Sequence, residues 1–252
     1  MAFEIEASGL PDIGQTRSHN EDTFLADAGE GLFIVADGMG GHQHGEVASR
    51  LAVDSIRRTV TTAQTKPRPS ADLRDDQANS SRLSDAVAGA HDYVLGAIQD
   101  DVSLLGMGTT VVAMLIHDDV AAIAHVGDSR AYRLEDGRME LLTEDHTWVR
   151  EQVSAGHLSE RQAREHPLRN VVTQALGGTG EVAVEVNEER LRPGQIYLLC
   201  SDGLTSMLED VEIETHLKSG QSLERICRDL VQDANAKGGL DNVTVVLVKI
   251  LD

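Results

Sequence analysis

Aromatic residues are nearly missing from this 252-residue chain, with Phe, Trp and Tyr together at 3%. Its core must therefore be assembled from Ala, Val, Leu and Ile, within a hydrophobic share of 40% that is ordinary for a globular protein. Cysteine is also scarce. Cys200 and Cys227 are too few and too far apart for a disulfide framework or a cysteine zinc site. Cys200 lies in the apolar run Ile196–Cys200 and reads as a small buried hydrophobe. Basic residues are outnumbered 22 to 42, for a net charge of −20. That field repels phosphate backbones and anionic lipid, which excludes nucleic acid and membrane surfaces as expected partners. No apolar run approaches the ~18 residues of a membrane helix, and no basic and apolar leader opens the chain. Cytoplasm is the expected location, and short internal repeats are absent.

What is present is a series of short apolar runs. Phe3–Ala7 alternates as a strand should, and Thr23–Ala26 with Leu32–Ala36 reads as a hairpin. Glu46–Thr62 has helical spacing through Val47, Leu51, Val53 and Ile56. Residues 66–81, holding Pro67, Pro69 and many polar side chains, read as a mobile surface loop within one domain spanning 1–252. A second helix is expected over Leu83–Gln99. Two strand pairs follow, Thr109–Ile116 with Val120–Val126 and Ala131–Leu134 with Met139–Leu142, turning at His117-Asp118-Asp119 and Asp136-Gly137. Gln195–Cys200 is a buried strand, Leu223–Ala236 an amphipathic helix and Val243–Leu251 a last strand. Hairpins with helices arriving in pairs argue for antiparallel sheets and against a doubly wound parallel fold.

Three of these strands run into an aspartate where the chain must turn, at Asp37, Asp128 and Asp202, and Asp241 opens the last strand. Taken singly, an Asp-Gly pair is a common turn former. Taken together, four carboxylates on rigid strand ends form a preorganised cation site. With no Cys cluster and no His pair at i, i+4, the donors are all oxygen, which suits Mg²⁺ or Mn²⁺. Carboxylates from four distant segments could hold two ions roughly 3.5–4 Å apart, and so turn a bound water into hydroxide near neutral pH.

The strings Arg17-Ser-His-Asn-Glu21-Asp22, Val35-Ala-Asp37-Gly38-Met-Gly40-Gly41, Met107-Gly-Thr-Thr110, Val126-Gly-Asp128-Ser-Arg130, Cys200-Ser-Asp202-Gly203-Leu204 and Asp241-Asn242-Val-Thr244 resemble the type 2C family of metal-dependent protein phosphatases. They occur in family order along nearly the whole chain, and Asp145-His146-Thr147-Trp148 looks like the compact bacterial branch. The resemblance implies an α+β fold, an α-β-β-α sandwich of two antiparallel sheets flanked by helix pairs, with a small flap subdomain at about 147–170. It implies hydrolysis of phosphoSer or phosphoThr by a metal-bridging hydroxide, without a phosphoenzyme.

By the same resemblance, Asp37 bridges the first two ions, the Gly38 carbonyl ligates one, and Asp202 and Asp241 complete the other. Asp128 with Asp202 holds a third ion, Glu21 and Asp22 act through bound waters, and Arg17 clamps the substrate phosphate. The family's animal members often have His directly after the Asp-Gly pair, and Met39 stands there instead. That leaves His42, His146 or a water as the general acid. The implied partner is a phosphoprotein, opposing a serine/threonine kinase, and the chain is expected to be a monomer. Two further readings remain open: an inactive signalling adaptor of the same fold, and a phosphomonoesterase for small molecules.

Overall fold

A computed structural model describes residues 3–40, 44–64 and 75–251. In chain order the elements are β1 (Ile5–Asp12), β2 (Thr23–Asp27), β3 (Leu32–Ala36), β4 (Gly38–Met39), α1 (Gly45–Gln64), α2 (Asp75–Asp100), β5 (Gly108–Thr109), β6 (Val111–His117), β7 (Val120–Val126), β8 (Arg130–Glu135) and β9 (Arg138–Leu141). There follow α3 (Trp148–Ser154), α4 (Glu160–Arg164), β10 (Glu185–Arg190), β11 (Ile196–Cys200), α5 (Asp202–Thr205), α6 (Asp210–Leu217), α7 (Leu223–Ala236) and β12 (Val243–Ile250).

Two five-stranded antiparallel sheets form, in the orders β1-β12-β11-β8-β9 and β10-β7-β6-β3-β2. Their inner faces meet through Phe33, Val35, Val112, Met114 and Ile123 on one side and Ala131, Tyr197, Leu199, Val246 and Val248 on the other. The outer face of the β3 sheet carries Leu32, Ile34, Ala36, Ala113 and Leu115 against Ala52, Ile56, Ala86 and Val87 of α1 and α2. The outer face of the β11 sheet carries Leu198, Cys200, Val245 and Leu247 against Ile213 of α6 and Ile226, Leu230 and Val231 of α7. These layers make the expected α-β-β-α sandwich. They also explain the continuous apolar runs, because β3, β7 and β11 are covered on both faces and have no solvent side to alternate toward.

Local chemistry sets the boundaries. The two-residue turns at Asp118-Asp119 and Asp136-Gly137 place Asp118 and Asp136 at φ 55° and 49°, a region Asp tolerates better than most residues. In α7, Leu223, Ile226, Cys227, Leu230, Val231 and Ala234 are buried at helical spacing, and Ser222 caps the start by accepting from the Arg225 amide. Both thiols are buried, and burial pushes Cys200 up to about 12 and Cys227 up to about 11.

Two boundaries differ from the sequence reading by more than two residues. Helix α2 begins at Asp75, so residues 75–81 are helical and not part of a surface loop. That stretch has no Pro or Gly, and the stripe Leu83, Ala86, Val87 and Ala90 packs against α1 firmly enough for the helix to extend N-terminally. The rest of that loop, including Pro67 and Pro69, lies outside the described residues. The first strand also runs on to Asp12, paired along its whole length with β12.

Candidate active site

Antiparallel pairing brings the acidic strand ends together. Because β3 and β7 both run antiparallel to β6, they end on the same side of their sheet, at Ala36 and Val126. Strand β2 pairs Thr23 with Ala36, so residues 21 and 22 enter at that end. In the other sheet Cys200 faces Val245 and Asp12 faces Val243, which sets the end of β11, the start of β12 and the exit of β1 side by side. The result is a cleft at one end of the sandwich, between the sheets.

Asp22, Asp37, Asp128, Asp202 and Asp241 stand in this cleft close enough for their charges to act on one another. Burial, followed by the charges of Asp22, Asp202, Asp128 and Asp241, holds the Asp37 carboxyl well above the ordinary carboxylate range. Burial and the Asp202 charge push Asp128 up to about 8. Burial and the Asp241 charge push Asp202 up to about 6. For Asp22 burial raises the value to about 7, against a Ser201 hydroxyl that donates to Oδ2 at 2.9 Å. The other oxygen of Asp22, Oδ1, is buried without a hydrogen-bond partner.

Backbone clamps hold the cluster. Thr109 Oγ1 and the Thr110 amide both donate to the Asp37 carbonyl, at 2.8 and 2.9 Å. Asn242 receives the Glu21 amide at 2.8 Å and donates to the carbonyls of Ile13 and His19 at 3.0 and 3.1 Å. It thereby fastens the segment carrying Arg17 to the start of β12, while its own amide donates to Asp241 Oδ1 at 2.8 Å. Gly38 is required by space, since a Cβ there would lie 2.2 Å from the Gly45 carbonyl and 2.5 Å from that of Glu21.

Arg17 places Nη2 2.7 Å from Asp241 Oδ2, with its side chain 48% exposed and so open to a ligand from solvent. Glu21 is buried and turned toward His19 Nε2, 3.2 Å away. His42 lies outside the described residues. His146 is buried, with Nδ1 accepting from the Gly127 amide at 3.1 Å. Sequence reasoning missed Ser201 on Asp22 and Ser49, whose hydroxyl donates to the Glu21 carbonyl at 2.6 Å. Ser201 carries no signal beyond its place beside Asp202, and Ser49, between Ala48 and Arg50, carries none. From Asp128 and Asp202 a groove of about 600 Å³ runs on past Arg150, Arg164, Arg169 and Glu209.

Five carboxylates face the Arg17 guanidinium here, while the nearby Arg130 is already paired with Asp145. An all-oxygen set with excess negative charge and an unpartnered buried oxygen fits hard divalent cations. The raised values carry a sign that can be tested. The folded protein holds protons that the unfolded chain releases near pH ~3.9, so stability is lost as pH rises through about 6 to 8. In chelator, the melting temperature is expected to fall between pH 5 and pH 9, and added Mn²⁺ should restore more of it at the higher pH. A melting temperature that rises across that interval in chelator would rule the buried cluster out.

Residues 14–251 match the family described as Protein phosphatase 2C. The serine/threonine phosphatase stp of Listeria welshimeri is 37% identical over 250 residues, covering 97% of this chain and 96% of its own. The crystal structure of the serine/threonine phosphatase PstP of Mycobacterium tuberculosis superposes with a TM-score of 0.88 at 33% identity, covering 98% of this chain and 99% of its own. The catalytic domain of PstP in complex with two manganese ions gives a TM-score of 0.85 at 32% identity, over 98% and 99% of the two chains. The fold is that of a bacterial-type metal-dependent phosphatase. The chain belongs to the protein phosphatase 2C family.

Proposed function

We propose that this chain is a serine/threonine protein phosphatase whose chemistry is organised by the carboxylate cleft. The observation that carries the reading is the convergence of Asp37, Asp128, Asp202 and Asp241 beside a half-exposed Arg17. Asp37, the Gly38 carbonyl, Asp202 and Asp241 would hold two Mg²⁺ or Mn²⁺ ions, Asp128 with Asp202 a third, and Glu21 and Asp22 would act through waters. When bound, such ions lower the pKa of a coordinated water from ~15.7 to about 7 and offset charge on a phosphoryl group. Arg17 would take the phosphate, trading its carboxylate partner for a planar bidentate contact. Residues 147–170, which form α3 and α4 beside the groove, serve as the flap.

The substrate is a phosphoSer or phosphoThr protein, set there by an opposing kinase. A groove continuing past the carboxylates favours a polypeptide over a small phosphomonoester, which would need only the cleft. No helix among the described residues is long and apolar enough to cross a membrane.

Hydrolysis of a phosphothreonine peptide should stop in EDTA and return with Mn²⁺ or Mg²⁺. Folded, metal-loaded protein that releases no phosphate would move the assignment to a non-catalytic adaptor. Activity that persists in chelator would remove the cations from it.

A further inference from the structure

A second concentration of ligating groups lies behind the cleft, where His125, His146 and Glu185 bring ligand atoms within 4.8 Å of one another. Hydrogen bonding decides what the trio is for. The Gly127 amide donates to His146 Nδ1 at 3.1 Å, so Nδ1 presents its lone pair and the ring proton sits on Nε2. His125 Nε2 lies 2.8 Å from the Glu144 carbonyl, to which it can only donate. A metal-bound imidazole behaves in the opposite way to His146, offering a lone pair to the ion and donating its other N–H. His146 is therefore a brace and not a cation ligand, which leaves the trio short of a three-ligand site.

We propose that His146 is a positioning residue for Asp128, holding the turn that aims this carboxylate into the cleft. His146 takes both polar groups of Gly127, the residue before Asp128: its own amide donates to the Gly127 carbonyl at 2.9 Å, and Nδ1 receives the Gly127 amide. Gly127 has φ 105°, a backbone state that other residues rarely adopt and that leaves the turn dependent on such a clamp. On the far side of Asp128, Arg130 donates to both oxygens of Asp145 at 2.8 and 2.6 Å. Consecutive residues 145 and 146 thus grip the chain on either side of Asp128. The His146 ring stacks in turn on His125, with centroids 4.8 Å apart, and Glu185 lies 3.2 Å from Nε2 without forming a directed hydrogen bond.

The inference rests on Asp128 being a cation ligand, and the test separates the two. Calorimetric titration with Mn²⁺ and steady-state kinetics on a phosphothreonine peptide would be compared for wild type, His146→Leu, His146→Asn and Asp128→Asn. His146→Leu should weaken the weakest Mn²⁺ site and lower kcat at limiting Mn²⁺ by about ten-fold, with KM unchanged. His146→Asn, which keeps a side-chain acceptor, should recover most of both. In the Asp128→Asn background, His146→Leu should add nothing. Full additivity, or unchanged Mn²⁺ binding in His146→Leu, overturns the positioning role. Unchanged Mn²⁺ binding in Asp128→Asn overturns the reading beneath it. Nitrogen-15 NMR of the histidine rings in wild-type protein supplies a check independent of any variant's folding. It should show His146 as the Nε2–H tautomer, and an Nδ1–H tautomer would end the proposal.

Discussion

Asp202→Asn is expected to lower kcat by about a thousand-fold or more, a loss of about 4 kcal/mol in transition-state stabilisation, while the protein remains folded. Asp202 sits at the start of α5, directly after the buried strand β11, so its carboxylate is aimed by rigid backbone. In the proposed site it serves two cation positions at once, and the amide would offer each a weaker, neutral donor. The same change should act in the opposite direction on stability. One of five mutually repelling carboxylates disappears, so in chelator at pH 8 the variant should melt above wild type. In saturating Mn²⁺ that order should reverse, because wild type gains binding energy that the variant lacks. Kinetics and two melting curves check the whole statement. Turnover within ten-fold of wild type would remove Asp202 from the catalytic set.

Gly203→Ala is expected to destabilise the fold by about 3 kcal/mol, a drop in melting temperature of roughly 6–12 °C for a chain of this size. The cause is steric. A Cβ on Gly203 would lie 1.9 Å from the Asn242 carbonyl oxygen, a backbone atom in the middle of the clamp. Relief requires α5 and the start of β12 to separate, and each carries an aspartate of the cleft. Activity should therefore fall more steeply than stability, and excess Mn²⁺ should recover part of it by drawing the two segments together. Thermal melting with and without Mn²⁺, alongside peptide hydrolysis, measures both effects. A variant with wild-type melting would show that the backbone gives way more easily than this contact implies.

The sandwich was legible in the sequence because its inner strands are apolar without interruption and its hairpin turns carry Asp and Gly where φ must be positive. Helix α7 could be bounded to the residue, since its buried stripe is regular and Ser222 caps it. Strand β10 escaped notice. Its sequence Glu185-Val-Asn-Glu-Glu-Arg190 has one apolar residue, and it is a strand because β7 pairs with it along its length. Helix α6 is short and weakly periodic, held by Ile213 and Leu217 alone among its buried residues. Asp37, Asp128, Asp202 and Asp241 could be picked out because strand ends and glycines mark them. Of the residues that hold them, Asn242 could be read as orienting Asp241 because it stands next to it, but Ser201, Ser49 and the clamp of His146 on Gly127 could not, because each acts on a group tens to hundreds of positions away.

The two thiols have a use that the chemistry of the cleft does not require. Cys200 and Cys227 both belong to the core between the β11 sheet and α7, and neither lies in the core beneath α1 and α2. Buried and held in the protonated form, they are inert to alkylating reagents until that half of the molecule opens. The rate of their modification is then a clock for the opening of one side of the sandwich, read without adding a probe. Binding of a cation to the cleft, whose strand ends draw on both sheets, would be timed by how far it slows that clock.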